Sequence, residues 1–480
     1  MEDVDIVVRL PSSRRARRKM FRRLTYGAVP GFAPICCDSN DPAMVACGFR
    51  QRLLREVPIP EDALIKEFAD FVAEFLSKNV RRVRKLDFEE WLSKTSYNEA
   101  RKEELRKSYE ALRGGRPTRD QSQKIQTFVK SENYPLYKWC RMINSRSDAF
   151  KVFSGPFFRA VEEVVYELPE FIKHTPVPDR PSRVRALRKA GRRYYQTDFT
   201  AFESHFSAEL MNICECALYR HCFDDCEDIQ YICRTVTGLN RMRTRHGVSA
   251  DIRARRMSGD MCTSLGNGFT NLMLAKFIAH RQGHELYGFV EGDDGLFATE
   301  AVLDVKTYER LGFSIKIDEV SDPCKASFCG MVFADSGEIV RNPIDFLSSF
   351  GWTGSFISAG NIVMDQLLRA KALSAVYETP QCPIVGMLAR VALAKTRGAV
   401  PRFVDDGYHR CPSDEIPLPS FRPSADTREL VAELYHISPA LQLEIERCIQ
   451  TDQLERIAPL LGGLVAQDVR HYADRYVEVG

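Results

Sequence analysis

The segment "ELYGFVEGDDGLFATE", residues 285–300, constrains this chain more than any other. Two short apolar and aromatic runs flank Glu291-Gly292-Asp293-Asp294-Gly295, which predicts a β-hairpin with adjacent acids at its turn. Asp and Gly favour turns for backbone reasons alone, so the triplet by itself fits a plain surface turn. A second acidic position changes its standing. In "RRYYQTDFTAFESHF", Asp198 closes an aromatic run that reads as a buried strand, and Glu203 lies shortly after it. Two strand ends that bring Asp198 beside Asp293 and Asp294 gather carboxylates that repel one another. Such a cluster is costly unless cations neutralise it.

Mg2+, a hard cation that prefers carboxylate and phosphate oxygens, suits that site. Two such ions about 4 Å apart stabilise the attacking and leaving oxygens of an in-line phosphoryl displacement. One lowers the pKa of a primer 3′-hydroxyl; the other holds the triphosphate and the departing pyrophosphate. Between the two acidic positions lies "SGDMCTSLGNGFTNLMLAKF", residues 258–277. Its first half is rich in small and hydroxyl residues, and its second half reads as a helix carrying Leu272, Met273 and Phe277. One reading is a loop that caps this helix through Thr270 or Asn271. The other is a Gly-containing loop that presents hydroxyl and amide groups to a ribose. The order Asp198, loop, Gly292-Asp293-Asp294 favours the second.

The remaining sequence sets bounds. With 480 residues, 44% hydrophobic and 28% charged, the chain has the composition of a globular protein of several packed units. A net charge of +3 is uninformative, but the basic residues are clustered. Arg9–Arg23 holds eight Lys/Arg and no acid, Arg180–Arg193 seven, and Arg241–Arg256 six arginines with one acid. Such runs suit a phosphate backbone and equally a solvated surface. The 15 cysteines are scattered without a secretory signal, which fits a reducing compartment. The densest set, Cys214, Cys216, His221, Cys222, Cys226 and Cys233, falls on what reads as one continuous helix, "SAELMNICECALYRHCF". Buried structural cysteine is therefore expected, and zinc is not. No apolar run of about 18 residues appears, so no transmembrane segment is expected. Residues 61–78 read as an amphipathic helix, 81–113 as helix-like, and the chain beyond about residue 346 as mainly helical. The fold class is thus mixed α/β in the middle and α-rich towards the C-terminal end.

At these residues the sequence resembles viral RNA-dependent RNA polymerases. "DFTAFE" looks like their motif A, "SGDMCTSLGN" like motif B and "GDD" like motif C, in the usual order. The wording of motif B is most similar to tombusvirus-like and related positive-strand RNA viruses. Upstream, "FVKSENYPLYKWCRMINSR" resembles the basic motif F. The resemblance implies that Lys130, Lys138, Arg141 and Arg146 contact the incoming triphosphate, Arg bidentately and Lys as a point charge. "LGFSIKIDEV" is similar to motif D, which makes Lys316 the candidate for protonating the leaving pyrophosphate, and "SFCGMVF" looks like motif E. Ser258, Gly259, Thr263 and Asn267 match motif B. In the family the second acid of motif A is usually Asp and recognises the ribose 2′-hydroxyl together with the motif B asparagine. Here it is Glu203, one methylene longer. A site built to bond that hydroxyl rejects a sugar lacking it.

The resemblance implies a right-hand polymerase with fingers, a palm of antiparallel sheet flanked by helices, and a mostly helical thumb. Residues 1–59 would form a basic N-terminal extension, 60–193 the fingers with motif F at about 127–150, and 194–206 the palm around motif A. Residues 207–256 would be a fingers insertion, 257–345 the palm with motifs B to E, and 346–480 the thumb. Asp198, Asp293 and Asp294 would bind two Mg2+, with Mn2+ as a substitute. The implied partners are RNA template, nascent RNA and nucleoside triphosphates, with other viral replication proteins and peripheral membrane attachment as further candidates. The implied location is the host cytoplasm at membrane-bound replication sites. A reverse transcriptase shares the palm, but a YxDD-type turn is expected there in place of Glu291-Gly292-Asp293-Asp294. A structural RNA-binding protein explains Arg9–Arg23 but gives the spaced acids no purpose.

Overall fold

The computed structural model describes residues 6–8, 20–35, 37–38, 41–130, 132, 134, 139–245, 247–404, 420–464 and 477–478. At its centre is a four-stranded antiparallel sheet in the order Ile315–Val320, Arg193–Phe199, Asp294–Thr299, Leu286–Glu291. The expected hairpin forms its last two strands. Strand alternation sends Tyr195, Val290 and Phe297 to one face, and Tyr194, Phe289 and Leu296 to the other. Helices Asp62–Asn79, Asp148–Val165 and Thr263–Arg281 cover the first face. Helix Arg180–Arg185 and a three-stranded sheet, Ser327–Phe328, Met331–Phe333 and Ile339–Val340, cover the second. A sheet buried on both faces holds its strand ends rigidly, which is what fixed acids need.

A five-stranded sheet stands apart from it, in the order Ile6–Val8, Val248–Arg253, Leu239–Arg243, Lys124–Val129, Met142–Arg146. Its one parallel pairing joins Lys124–Val129 to Leu239–Arg243, so chain from either side of Asp198 shares one sheet. Helix Pro42–Arg52 packs against it through Val45 and Phe49, which meet Ile125, Met242 and Ile252. Towards the C-terminal end, helices Asn361–Glu378, Val385–Lys395, Ala425–Tyr435 and Pro439–Gln450 form a separate core. Leu24, Tyr26, Val29 and Phe32 are part of that core. Phe21–Arg23 also pairs with Trp352–Thr353 and Val477–Glu478. The described N-terminal segments are therefore built into the fold and do not hang as a free arm; Arg9–Lys19 lies outside the described residues.

Several local expectations are met and others corrected. The amphipathic helix falls at Asp62–Asn79, one residue from its expected bounds. The helix-like stretch 81–113 resolves into Phe88–Ser93 and Glu99–Leu112. The expected continuous helix over 207–223 breaks at Cys214 into Ala208–Ile213 and Glu215–Cys222. The bend accompanies the turning of Glu215 into the interior, where it pairs with Arg256 at 2.8 Å. Cys214, Cys216, Cys222 and Cys233 are buried. Helix Thr263–Arg281 starts well before Thr270 and Asn271, so neither residue caps it. Among the described residues no helix is long and apolar enough to cross a membrane.

Phe297 is fully buried in the central hairpin. Phe297→Ala is expected to lower stability by about 3–5 kcal/mol through lost burial and a residual cavity. The urea unfolding midpoint reads this, and a shift worth under about 1 kcal/mol would show that the hairpin is not part of the cooperative core.

Candidate active site

The hairpin turn is two residues long. Glu291 and Asp294 form its closing pair, and Gly292 occupies the first central position at φ 64°, a left-handed conformation that glycine adopts freely. The pairing of these strands runs to Thr197 opposite Gly295, the residues next to Asp198 and Asp294 in the chain. Directly opposed side chains in antiparallel strands approach to roughly 5 Å at Cβ. On its other side Asp198 pairs with Lys316. The sheet thus places Asp198, Asp294 and Lys316 on three adjacent strands, with Asp293 in the turn.

The electrostatic consequence falls on Asp294. Its carboxyl is pushed up to about 7, first by burial, then by the negative charges of Asp293, Asp198 and Glu291. A hydrogen bond with Cys329 opposes the rise. Burial and the field of Asp294 and Glu291 in turn raise the Cys329 thiol, which stays protonated and lies 3.6 Å from Glu291 Oε2. Glu291 is held by buried Arg180, whose Nη1 is 3.5 Å from its carboxylate.

The donors are all carboxylate oxygens with a surplus of negative charge, which fits hard divalent cations. Among the described residues, no three His, Cys, Asp or Glu side chains are gathered closely enough to enclose an ion as they stand.

The turn is anchored by a residue outside the candidate site residues of the sequence. Asn271, buried in helix Thr263–Arg281, donates through Nδ2 towards the carbonyls of Gly292 at 3.4 Å, Asp293 at 3.1 Å and Asp294 at 3.1 Å. A polar residue at a buried helix position was the available signal. His205 makes a second link: its Nε2 accepts the Ser314 N–H at 2.9 Å, tying the loop after Asp198 to the start of the Lys316 strand. Burial drops this imidazole to about 4 despite hydrogen bonds from its ring to nearby carbonyls, so it is neutral and able to accept.

The basic residues divide into two groups. Lys130 pairs with Glu132 at 2.9 Å, and Arg141 lies 3.5 Å from the same carboxylate. Burial opposes the charge on Arg141, yet Glu132, Asp293 and Glu203 together hold its pKa above the usual arginine value. Arg141 therefore feels the acids of both the hairpin turn and the Asp198 loop. Arg146 differs. It is 2% exposed, bonded to Asp260 at 3.0 Å and to the Ser122 carbonyl at 2.9 Å. With its donors turned into the interior it is a structural tie, which corrects its expected contact with triphosphate. Lys138 lies outside the described residues.

Much of the Arg180–Arg193 run is engaged with other protein groups, although Arg188, Lys189 and Arg193 are exposed. Arg183 bonds Thr175 and Pro169, Arg185 the Asp335 carbonyl, Arg188 Asp322 and Asp335, and Arg193 Glu319. These contacts tie the segment to the loops around Asp322 and Asp335 and to the Lys316 strand.

The 258–267 segment docks before it binds. The Ser258 hydroxyl donates to the Met142 carbonyl at 2.6 Å. Gly259 lies so close to the Asn144 backbone that a Cβ would come within 2.9 Å of it. Thr263 donates to the carbonyls of Met257 and Asp260. Ser258 and Gly259 thus join the segment to strand Met142–Arg146 and Thr263 closes the turn at the helix start; Asn267, like Ser258 and Thr263, is half-buried. Its Oδ1 accepts from Arg256 Nε at 2.8 Å. Glu203 is bound by Arg52, Nε to Oε1 at 2.7 Å and Nη2 to Oε2 at 3.3 Å. Lys316 is 70% exposed and 2.8 Å from Asp318; that partner and, more weakly, Asp198 raise its pKa and keep it protonated.

A mixed α/β fold with an antiparallel sheet that brings acids to adjacent strand ends is the architecture of a right-hand nucleotidyltransferase. The chain belongs to the viral RNA-dependent RNA polymerases, whose family profile matches residues 47–387. It is accordingly an enzyme of RNA-templated RNA synthesis, and its family uses divalent metal ions. The match covers every site residue discussed above. Among curated proteins none matches the chain.

Two outcomes follow from this geometry. The raised Asp294 carboxyl binds a proton in the folded chain that the unfolded chain releases near pH 4. Its contribution to stability is thus complete below that pH and is lost as pH rises through about 7. In chelator, the fall in melting temperature between about pH 5 and pH 8 should shrink in Asp294→Asn; an unchanged slope would remove the charge cluster. Asn271→Leu should cost about 1–3 kcal/mol and reduce nucleotide incorporation. Full activity in that variant would mean that the turn holds itself.

Proposed function

We propose that this chain replicates and transcribes the genome of a positive-strand RNA virus of tombusvirus-like or related type, by two-metal-ion nucleotidyl transfer at Asp198, Asp293 and Asp294. The observation that carries the proposal is the convergence of these acids on adjacent strands, with the Asp294 carboxyl pushed up to about 7 by its neighbours. In the proposed reaction the primer 3′-oxygen bonds to the α-phosphorus of a nucleoside triphosphate, the bond to pyrophosphate breaks, and the hydroxyl proton is lost. Two Mg2+, or Mn2+ in their place, held by Asp198, Asp293 and Asp294, would activate the hydroxyl and neutralise the pyrophosphate.

The chain's own residues supply the rest. Arg141 and Lys130 are the described cations placed to offset triphosphate charge. Lys316, protonated and across the strand from Asp198, is the proton donor for the departing pyrophosphate. Glu203 and Asn267 read the 2′-hydroxyl. Ser258, Gly259, Thr263 and Arg146 act one step back, by fixing the motif B segment to the basic strand Met142–Arg146.

The hand divides as the motifs suggest: fingers over 60–193 with the insertion 207–256, palm over 194–206 and 257–345, and thumb from 346. The sheet shared by Lys124–Val129 and Leu239–Arg243 supports joining the two finger segments. RNA template, nascent RNA and nucleoside triphosphates are the ligands. The basic residues of the sequence between Arg9 and Lys19 support a peripheral location at membrane-bound replication sites in the host cytoplasm, beside other replication proteins.

The test supplies purified chain with an RNA template, labelled ribonucleotides and Mg2+. Asp198→Asn and Asp293→Asn are each expected to lower incorporation by about 10²-fold or more. Equal incorporation by all three proteins would overturn the mechanism, and a preference for deoxynucleotides would favour a reverse transcriptase.

A further inference from the structure

One side chain reaches the ribose-facing acid from outside every polymerase motif quoted above. Arg52 is the last residue of helix Pro42–Arg52, and it grips both carboxylate oxygens of Glu203 side-on at 2.7 and 3.3 Å. Bidentate guanidinium–carboxylate pairs fix orientation as well as distance. The helix end is itself fixed. Leu53 is fully buried, its N–H donates to the Phe49 carbonyl at 2.9 Å, and its own carbonyl accepts from Arg255 Nε at 3.3 Å. The Arg52 side chain thus projects from a support that the five-stranded sheet holds in place.

A parallel arrangement governs Asn267. Arg256 takes the Asn267 carbonyl oxygen through Nε, while its Nη1 pairs with Glu215; the two charged side chains are 1% and 0% exposed. The Arg256 backbone N–H also donates to the Glu203 carbonyl at 3.2 Å. With its oxygen engaged, Asn267 offers the ribose its amide N–H groups as donors. Glu203 offers acceptors, because a carboxylate has about four lone-pair sites and Arg52 takes two. A 2′-hydroxyl satisfies both, donating to Glu203 and accepting from Asn267. A 2′-hydrogen satisfies neither.

We infer that Arg52 is the positioning residue for sugar selection in this polymerase. It sets the carboxylate of Glu203, one methylene longer than the aspartate usual in the family, at the height where a shorter acid would sit unaided. The inference rests on the assignment of Glu203 to the 2′-hydroxyl.

Single-nucleotide extension on an RNA primer–template tests it through the ratio of kcat/KM for a ribonucleotide to that for the matching deoxynucleotide. Arg52→Gln is expected to lower this ratio about tenfold, mainly through a raised KM for the ribonucleotide. Arg52→Lys, which retains one contact, should give an intermediate ratio and remains informative if Arg52→Gln fails to fold. In a Glu203→Asp background, Arg52→Gln should change the ratio little, because the shorter acid does not need the support. Equal loss towards both sugars, with the ratio preserved, would reduce Arg52 to a structural tie and overturn the inference. An unchanged ratio in Glu203→Ala would instead overturn the assignment of Glu203, and the inference with it. Neither result touches the dependence of synthesis on Asp198 and Asp293.

Discussion

Mutual repulsion among Asp198, Asp293, Asp294 and Glu291 is the constraint around which the structure is organised. Carboxylates brought to adjacent strand ends push one another apart, and the fold must hold them by other means. It does so by burying the central sheet on both faces, by bonding the turn carbonyls to Asn271, and by setting Arg180 against Glu291. The residual strain appears as the raised Asp294 carboxyl. In the two-metal reading proposed above, a cation bound there would relieve that strain.

Around this centre the charged residues act mostly on one another. Arg52 holds Glu203, Arg256 holds Asn267, and Arg146 holds Asp260 beside the motif B segment. Each arginine sits behind a residue expected to meet substrate or next to the segment that carries one. Buried ion pairs contribute little net stability, because desolvation offsets their attraction. Their geometric precision is the clearer benefit, since a ribose hydroxyl is recognised over tenths of an ångström.

The local features of this arrangement were legible in the sequence. Short apolar and aromatic runs flanking Glu291–Gly295 marked the hairpin, and the aromatic run before Asp198 marked its partner strand. The apolar spacing of Leu64, Phe68 and Val72 marked helix Asp62–Asn79 to within a residue. What stayed hidden was the choice of distant partners. Nothing in "RQRLLRE" points to Glu203, nor does the sequence near Arg256 point to Glu215, because a salt bridge is chosen by three-dimensional proximity. The same gap explains Arg146 and the Arg180–Arg193 run: their basic character was plain, but the acids and carbonyls that absorb it lie far along the chain. The contact of Asn271 with the turn stayed hidden because helix Thr263–Arg281 begins earlier than its apolar half suggests.

The pairing of Phe21–Arg23 with Trp352–Thr353 carries a consequence for the order in which the molecule is made. The N-terminal segment leaves the ribosome first, yet its sheet partner and the helices that bury Leu24, Tyr26 and Phe32 are among the last to appear. Throughout synthesis of the central hairpin those apolar residues have no native cover. Long-range closures of this kind are slow and leave nascent chains open to aggregation. A chain stopped short of these helices would carry Asp198, Asp293 and Asp294 while Leu24, Tyr26 and Phe32 lacked their native cover.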